Sequence, residues 1–145
     1  AFSGLDSFTL AAWIRPQPVV NQTLFDLSGA GANEYRLSLI GHRVEVLLGD
    51  ASGAWAVSWV PPSVTVPFLG WTHIALTWDG ALLSLFQDGS LAGSTAATTA
   101  LTLHTSSSLL LGAARVGSSS FGSFYAGEID DVFVLGKHHG ASSVA

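Results

Sequence analysis

Apolar and polar residues alternate with a period of two along most of the chain. In residues 7–15 (SFTLAAWIR), Phe8, Leu10, Ala12 and Ile14 fall on one face. Residues 24–27 form a short apolar run, and residues 34–40 and 42–48 flank Gly41, with Val44, Val46 and Leu48 alternating. Residues 54–60 place Trp55, Val57 and Trp59 on one face, and residues 71–79 do the same for Ile74, Leu76 and Trp78. Residues 82–88 follow the pair Asp79-Gly80, and Asp88-Gly89 leads into residues 90–96. Residues 109–111 and 125–135 complete the set. Period two marks a half-buried strand, and Asp-Gly between two such runs marks a tight hairpin turn. No stretch shows a helical period with caps. The pattern predicts an all-β fold, a two-sheet antiparallel β-sandwich that buries the alternating apolar residues between its sheets.

The breaks in the pattern predict connections. Residues 28–33 (SGAGAN) are glycine-rich and read as a flexible loop. Residues 60–68 (VPPSVTVPF) hold three prolines, which cannot donate to a ladder, so a surface linker or an edge is expected there. Val64, Val66 and Phe68 stand where a loop should be polar, which marks this segment as a contact for a neighbouring domain or a sister copy. Residues 118–123 read as a loop before the last long strand. The Ser/Thr/Ala tract over 94–108 holds Leu101 and Leu103, a weak edge strand at most. No internal repeat or boundary divides residues 1–145, so a single domain is expected. Both ends read as mid-chain sequence, which suits a segment of a larger protein.

Composition narrows the partners. Charged residues make up 10% of the 145, against ~25% in an ordinary domain. A surface so poor in charge suits a module packed into an assembly, flanked by neighbours or coated with sugar. The net charge of -5 excludes the basic footprint that nucleic acid requires. Apolar runs are strand-sized, well short of the ~18 residues that suggest membrane insertion. Cysteine is absent, which removes disulfides, thiol catalysis and Cys-based zinc sites. Asn21-Gln22-Thr23 is an acceptor tripeptide for N-glycosylation.

Four motifs in order resemble the laminin-G-like, concanavalin A-type jelly roll, which is related to the pentraxins. They are Phe8-Thr9 with Trp13; Trp71 and His73 running to Trp78-Asp79-Gly80; Phe86-Gln87-Asp88-Gly89; and Tyr125-Ala126-Gly127-Glu128-Ile129-Asp130-Asp131-Val132. Tyr125 departs from the family's usual Phe. The resemblance covers nearly the whole chain. It implies a binding module, and many such folds hold a structural Ca2+ through the Asp of the last strand and nearby backbone carbonyls. Carried over, the ligands are Asp130 and Asp131, with carbonyls near Ser28, Gly29 and Gly31 or from the N-terminal segment. The residues themselves support a hard cation: burying Ile129, Val132 and Val134 together requires a bulge between 129 and 132, and two carboxylates at a bulge suit oxygen coordination. The alternative is that both carboxylates cap loop amides.

Glu128-Ile129-Asp130 also resembles the catalytic strand of laminarinase-type glucanases, where a second Glu stands two residues beyond the Asp. Here that position is Val132, and a retaining glycosidase needs both carboxylates. No catalysis is expected. Five tryptophans offer sugar-stacking surfaces, and Trp55 and Trp59 are the ligand-facing candidates, in a strand with little charge. His138-His139 lacks carboxylate support and reads as solvated, and His73 reads as packed on its strand. The expected function is therefore a non-catalytic adhesion or assembly module, extracellular or on the cell surface, that binds protein or glycan partners. The alternative is a carbohydrate-binding module appended to a degradative enzyme.

Overall fold

The computed structural model describes residues 7–29, 32–50, 52, 54–97, 108–115 and 120–135. Among them no helix occurs. The strands are β1 (Phe8–Pro16), β2 (Asn21–Gly29), β3 (Ala32–Ile40), β4 (Arg43–Gly49), β5 (Trp55–Trp59) and β6 (Thr72–Trp78). They continue with β7 (Leu82–Gln87), β8 (Ser90–Ala96), β9 (Ser108–Leu111), β10 (Ala114–Arg115), β11 (Phe121–Gly122) and β12 (Gly127–Leu135). One antiparallel sheet has the order β12-β1-β6-β7-β8, and a second has the order β5-β4-β3-β2-β9. β10 and β11 pair only with each other. The tract around Leu101 and Leu103 and the pair His138-His139 lie outside the described residues.

The alternation explains the core. Phe8, Leu10, Ala12 and Ile14 of β1 and Ile74, Leu76 and Trp78 of β6 face Leu37, Leu39, Val44, Val46 and Leu48 of the other sheet in one buried cluster. Phe8 stacks on Tyr35 across the gap, with ring centroids 4.6 Å apart, which ties the start of β1 to the region of β2 and β3 around Leu27 and Tyr35. Both Asp-Gly pairs turn hairpins. Asp88 and Gly89 carry φ of 51° and 83°, the double positive pattern that fits the strand twist. Asp79 Oδ1 accepts from the amides of Ala81 and Leu82.

Two expected loops have other roles. Of residues 28–33, Ser28 and Gly29 belong to β2 and Ala32 and Asn33 to β3, with Ser28 paired to Asn33, so these four are strand rather than loop; residues 30–31 lie outside the described residues. The proline-rich segment between β5 and β6 is a strap across the sandwich. Val64 and Val66 are 0% exposed and belong to the core. Val66 N donates to His42 O and Gln87 Nε2 to Thr65 O, so the strap is bonded to both sheets. Val64 and Val66 are therefore core residues, and the expectation that these two mark a contact with a neighbour is corrected, whereas Phe68 is half-buried against His42 and Val60 is exposed. Prolines are at home there because most of the segment's amides need no ladder partner.

Bulges let the strands depart from alternation. Between the pairs Ala11–Phe133 and Trp13–Asp130, β12 carries two residues against the single Ala12. Asp131 has a φ of 49° there, so the bulge expected between 129 and 132 is present. It does not bury all three apolar neighbours. Ile129 and Val134 pack on the core, whereas Val132 is exposed. β2 has an extra residue, Leu24, between the pairs Thr23–Ser38 and Phe25–Leu37, which allows Leu24 and Phe25 both to be buried.

Candidate functional site

The outward face of the β5-β4-β3-β2-β9 sheet carries polar side chains in cross-strand rows. Residues opposite each other in an antiparallel pair point to the same face. Thr23, Ser38 and Glu45 form one row across β2, β3 and β4. Asn21 and Ile40 stand in the row on one side, and Asp26, Arg36 and Leu47 in the row on the other. Thr23 N donates to Ser123 O at 2.8 Å, which brings the segment after β11 alongside β2. Asn21, Thr23, Arg36, Ser38, Ile40 and Glu45 of these rows, with Ser123, line a cavity of about 130 Å³. At ~30 Å³ per water it holds the equivalent of about four waters, the scale of one edge of a sugar ring.

Beside the cavity lies a buried ionic knot. Asp26 is fully buried, and its Oδ2 accepts from Arg36 Nη2 at 3.0 Å and from the Arg115 amide at 2.7 Å. Arg36 Nη2 also donates to Arg115 O at 3.1 Å. The knot anchors β10 to the outer face of the sheet. Asp26 Oδ1 and Arg36 Nε are buried without a hydrogen-bond partner in the protein, and such atoms are costly unless another group reaches them. Burial, then Glu34 and Asp26, pushes the nearby Tyr35 hydroxyl far above its ordinary range. That phenol stays neutral at any physiological pH.

The two tryptophans expected to face a ligand part company. Trp59 packs towards the core, close to Gly93 of β8 and to Pro61, and so fills the seam between the two sheets. Trp55 is re-aimed because β5 has an extra residue, Ala56, between the pairs Leu48–Val57 and Gly49–Trp55. The guanidinium of Arg36 sits 5.1 Å from its ring centroid. Trp55 thus adjoins the polar rows, while Trp59 does not. The more exposed tryptophans are Trp13 and Trp71, at 38% and 46%. Trp13 lies edge-on to His73 on the outward face of the other sheet.

Asn21 is exposed at the start of β2 and lines the cavity, and Thr23 of the same acceptor tripeptide is buried beside Ser38. Asp130 and Asp131 are exposed at the bulge, where Asp130 Oδ1 accepts from the Asp131 amide at 2.8 Å. The structure does not bring them to Ser28. Asp130 sits opposite Trp13, while Ser28 follows Leu27, level with Tyr35 and Phe8. The five-residue separation from Phe8 to Trp13 is about 16 Å along the strand. Gly29 continues β2 past Ser28, and Gly31 lies outside the described residues. Among the described residues no three His, Asp or Glu side chains gather as a metal site. The described donors therefore do not gather the Ser28 set; residues 1–6, the other source of carbonyls, lie outside the described residues.

Glu128 of the glucanase-like stretch is bonded to Arg15 at 2.6 Å, and Val132 points away at the bulge as an exposed side chain. Tyr125 donates its hydroxyl to Glu128 O at 2.8 Å, and burial raises its pKa to about 12.

A two-sheet sandwich of this strand order, with a polar cavity on one outer face, is a concanavalin A-like module. The chain belongs to the concanavalin A-like lectin/glucanases superfamily, whose model matches residues 1–145. No curated protein matches the chain by sequence. Solved structures of the same fold include a native heptameric SAP-like pentraxin from Limulus polyphemus, with TM-score 0.79, 14% identity, and 97% of this chain and 68% of that one covered. The CBM40 of the Ruminococcus gnavus IT-sialidase, solved bound to α2,3-sialyllactose, superposes with TM-score 0.77, 16% identity, and 97% of this chain and 80% of that one covered. A leech intramolecular trans-sialidase superposes with TM-score 0.75 and 16% identity, over 99% of this chain but 23% of that one.

Proposed function

We propose that the chain is a non-catalytic carbohydrate-binding module that acts outside the cell, holding a glycan on the outer face of β2, β3 and β4. The observation that carries this reading is the cavity lined by Asn21, Thr23, Ser38, Glu45 and Ser123, with Arg36 and Trp55 beside it. Amide, hydroxyl and carboxylate groups converging on a small concavity are what sugar hydroxyls require, and an aromatic ring next to them supplies a partner for a sugar's C–H face. The CBM40 relatives solved with sialyllactose support the class of ligand. A binding role also accords with Glu128, which is engaged by Arg15, and with Val132, which stands where a glucanase would need its second carboxylate. Adhesion, or targeting of an attached enzyme, is then decided by what the module is joined to.

A glycan microarray probed with the purified chain tests the reading. Binding to one or more glycans is expected, with loss of about tenfold or more in Asn21→Ala and Ser38→Ala. Absence of binding to every glycan, or binding unchanged in both variants, refutes it.

A further inference from the structure

Resting on that carbohydrate reading, we infer that the cavity selects uncharged sugars and rejects carboxylated ones, and that Glu45 is the residue that sets this selection. The charges around the cavity lead there. Of the described residues that line it, only Arg36 is cationic and only Glu45 is anionic. Arg36 is already neutralised by Asp26 at 3.0 Å, and its Nη2 is shared with Arg115 O. Arg43, one row beyond Glu45 on β4, turns to the strap, where its Nη1 donates to Pro62 O at 2.7 Å. The Glu45 side chain makes no ion pair or hydrogen bond among the described residues. The uncommitted charge that a ligand meets is therefore negative.

A carboxylate is an acceptor with two oxygens, so it suits a pair of neighbouring hydroxyls, each of which can donate. Asn21 adds an amide that both donates and accepts, and Ser38 and Ser123 add hydroxyls. A neutral polyol satisfies this set. An acidic sugar brings a second carboxylate towards Glu45, and the one cation among the described lining residues, Arg36, is already paired; like charges at contact range serve rejection. This chain then differs in ligand charge from the fold relatives solved with sialyllactose.

The experiment compares matched glycans with and without a terminal sialic acid on an array, with lactose and α2,3-sialyllactose as the soluble pair in calorimetry. Amide shifts in labelled protein locate the contact. The expected result is binding of neutral glycans with shifts at Thr23, Ser38 and Glu45, about tenfold weaker binding of the sialylated partners, and a ratio near one in Glu45→Gln. Glu45 is not part of the core, so the variant should fold, and its melting temperature checks that it does. Sialylated glycans bound as well as neutral ones, a ratio unchanged in Glu45→Gln, or shifts confined to the other sheet would each overturn the inference while leaving a carbohydrate-binding module. Absence of binding to every glycan would instead remove the carbohydrate reading, and this inference with it.

Discussion

Replacing Gly127 by Ala should cost the protein a large part of its stability margin. Gly127 opens β12 at a φ of 136°, a region that residues with a Cβ rarely enter. An added Cβ would lie 2.3 Å from Arg15 O and 3.0 Å from Pro16 Cα, both backbone atoms of β1. Neither can swing aside as a side-chain end would. The strand must retreat, and the pairs Pro16–Gly127 and Arg15–Glu128 at that end of the ladder go with it. The conformational strain is worth ~1–3 kcal/mol. A weakened bond from Gln17 N to Ala126 O, 2.8 Å in the native structure, adds about 1 kcal/mol. Relief of the backbone contact brings the expected loss to roughly 3–5 kcal/mol. For a chain of this size that corresponds to a drop in melting temperature of roughly 6–20 °C.

Gly89 supplies the control. It also has a positive φ, 83°, but an added Cβ there meets nothing within 4 Å. Gly89→Ala therefore measures strain without collision, about 1 kcal/mol. Urea unfolding of both variants, with m-values compared, separates the two effects. If Gly127→Ala unfolds at the same urea concentration as Gly89→Ala, the close approach of β12 to β1 is not what demands glycine at that position.

Val66→Ala should cost about 2 kcal/mol in urea unfolding, and the exposed Thr65→Ala on the same strap well under 1 kcal/mol; equal costs would mean the strap is not part of the core. Asp26→Ala should cost ~3–5 kcal/mol because it leaves Arg36 without its counter-charge, and adding Arg36→Met should recover much of that; a double variant worse than the single would refute the paired-charge account. Neither tyrosine should ionise at the ordinary phenol pKa of 10 in the native protein, with Tyr125 raised to about 12 chiefly by burial and Tyr35 pushed higher still. The unfolded chain gives up these protons near pH 10 while the native one keeps them. Stability from this source is thus complete below pH 10 and falls as pH rises towards about 12. A tyrosinate absorbance midpoint near 10 in the folded protein would contradict it.

The strands were legible because their cause is local. Each of β1, β4 and β6 repeats an apolar residue at every second position, and period two is a property of the backbone itself. The Asp88-Gly89 turn was readable from residue type, and the bulge at Asp131 from the broken spacing of Ile129, Val132 and Val134, although Val132 is exposed rather than buried. The strap was misread for the same reason that makes prolines informative. Prolines report that a segment is outside a ladder, and say nothing of whether its side chains are inside the core. Val64 and Val66 alternate with polar neighbours just as a strand would, and that alternation was the available signal.

The cavity was not legible, because no stretch of sequence contains it. Thr23, Ser38 and Glu45 become neighbours only when β2, β3 and β4 pair in one register, and that register depends on the extra residue Leu24. A one-residue slip turns every side chain of a strand to the other face, so the outward row cannot be read until the bulge is known. Asp26 shows the stronger form of this dependence. In the sequence it lies inside an apolar run, Leu24 to Leu27, where a charge reads as an interruption. In the structure Arg36, ten residues on, supplies its counter-charge, and the Arg115 amide, 89 residues on, closes over it. A buried carboxylate needs both a charge and donors, and the chain draws them from two remote segments. One signal was available: an Asp in an apolar strand whose facing strand offers an Arg. Trp55 carries the same lesson, since a single inserted Ala56 takes it from the core face, where alternation placed it beside Trp59, to the guanidinium of Arg36. In this fold the regular residues of the strands build the core, and the irregular ones place the groups that a ligand would meet.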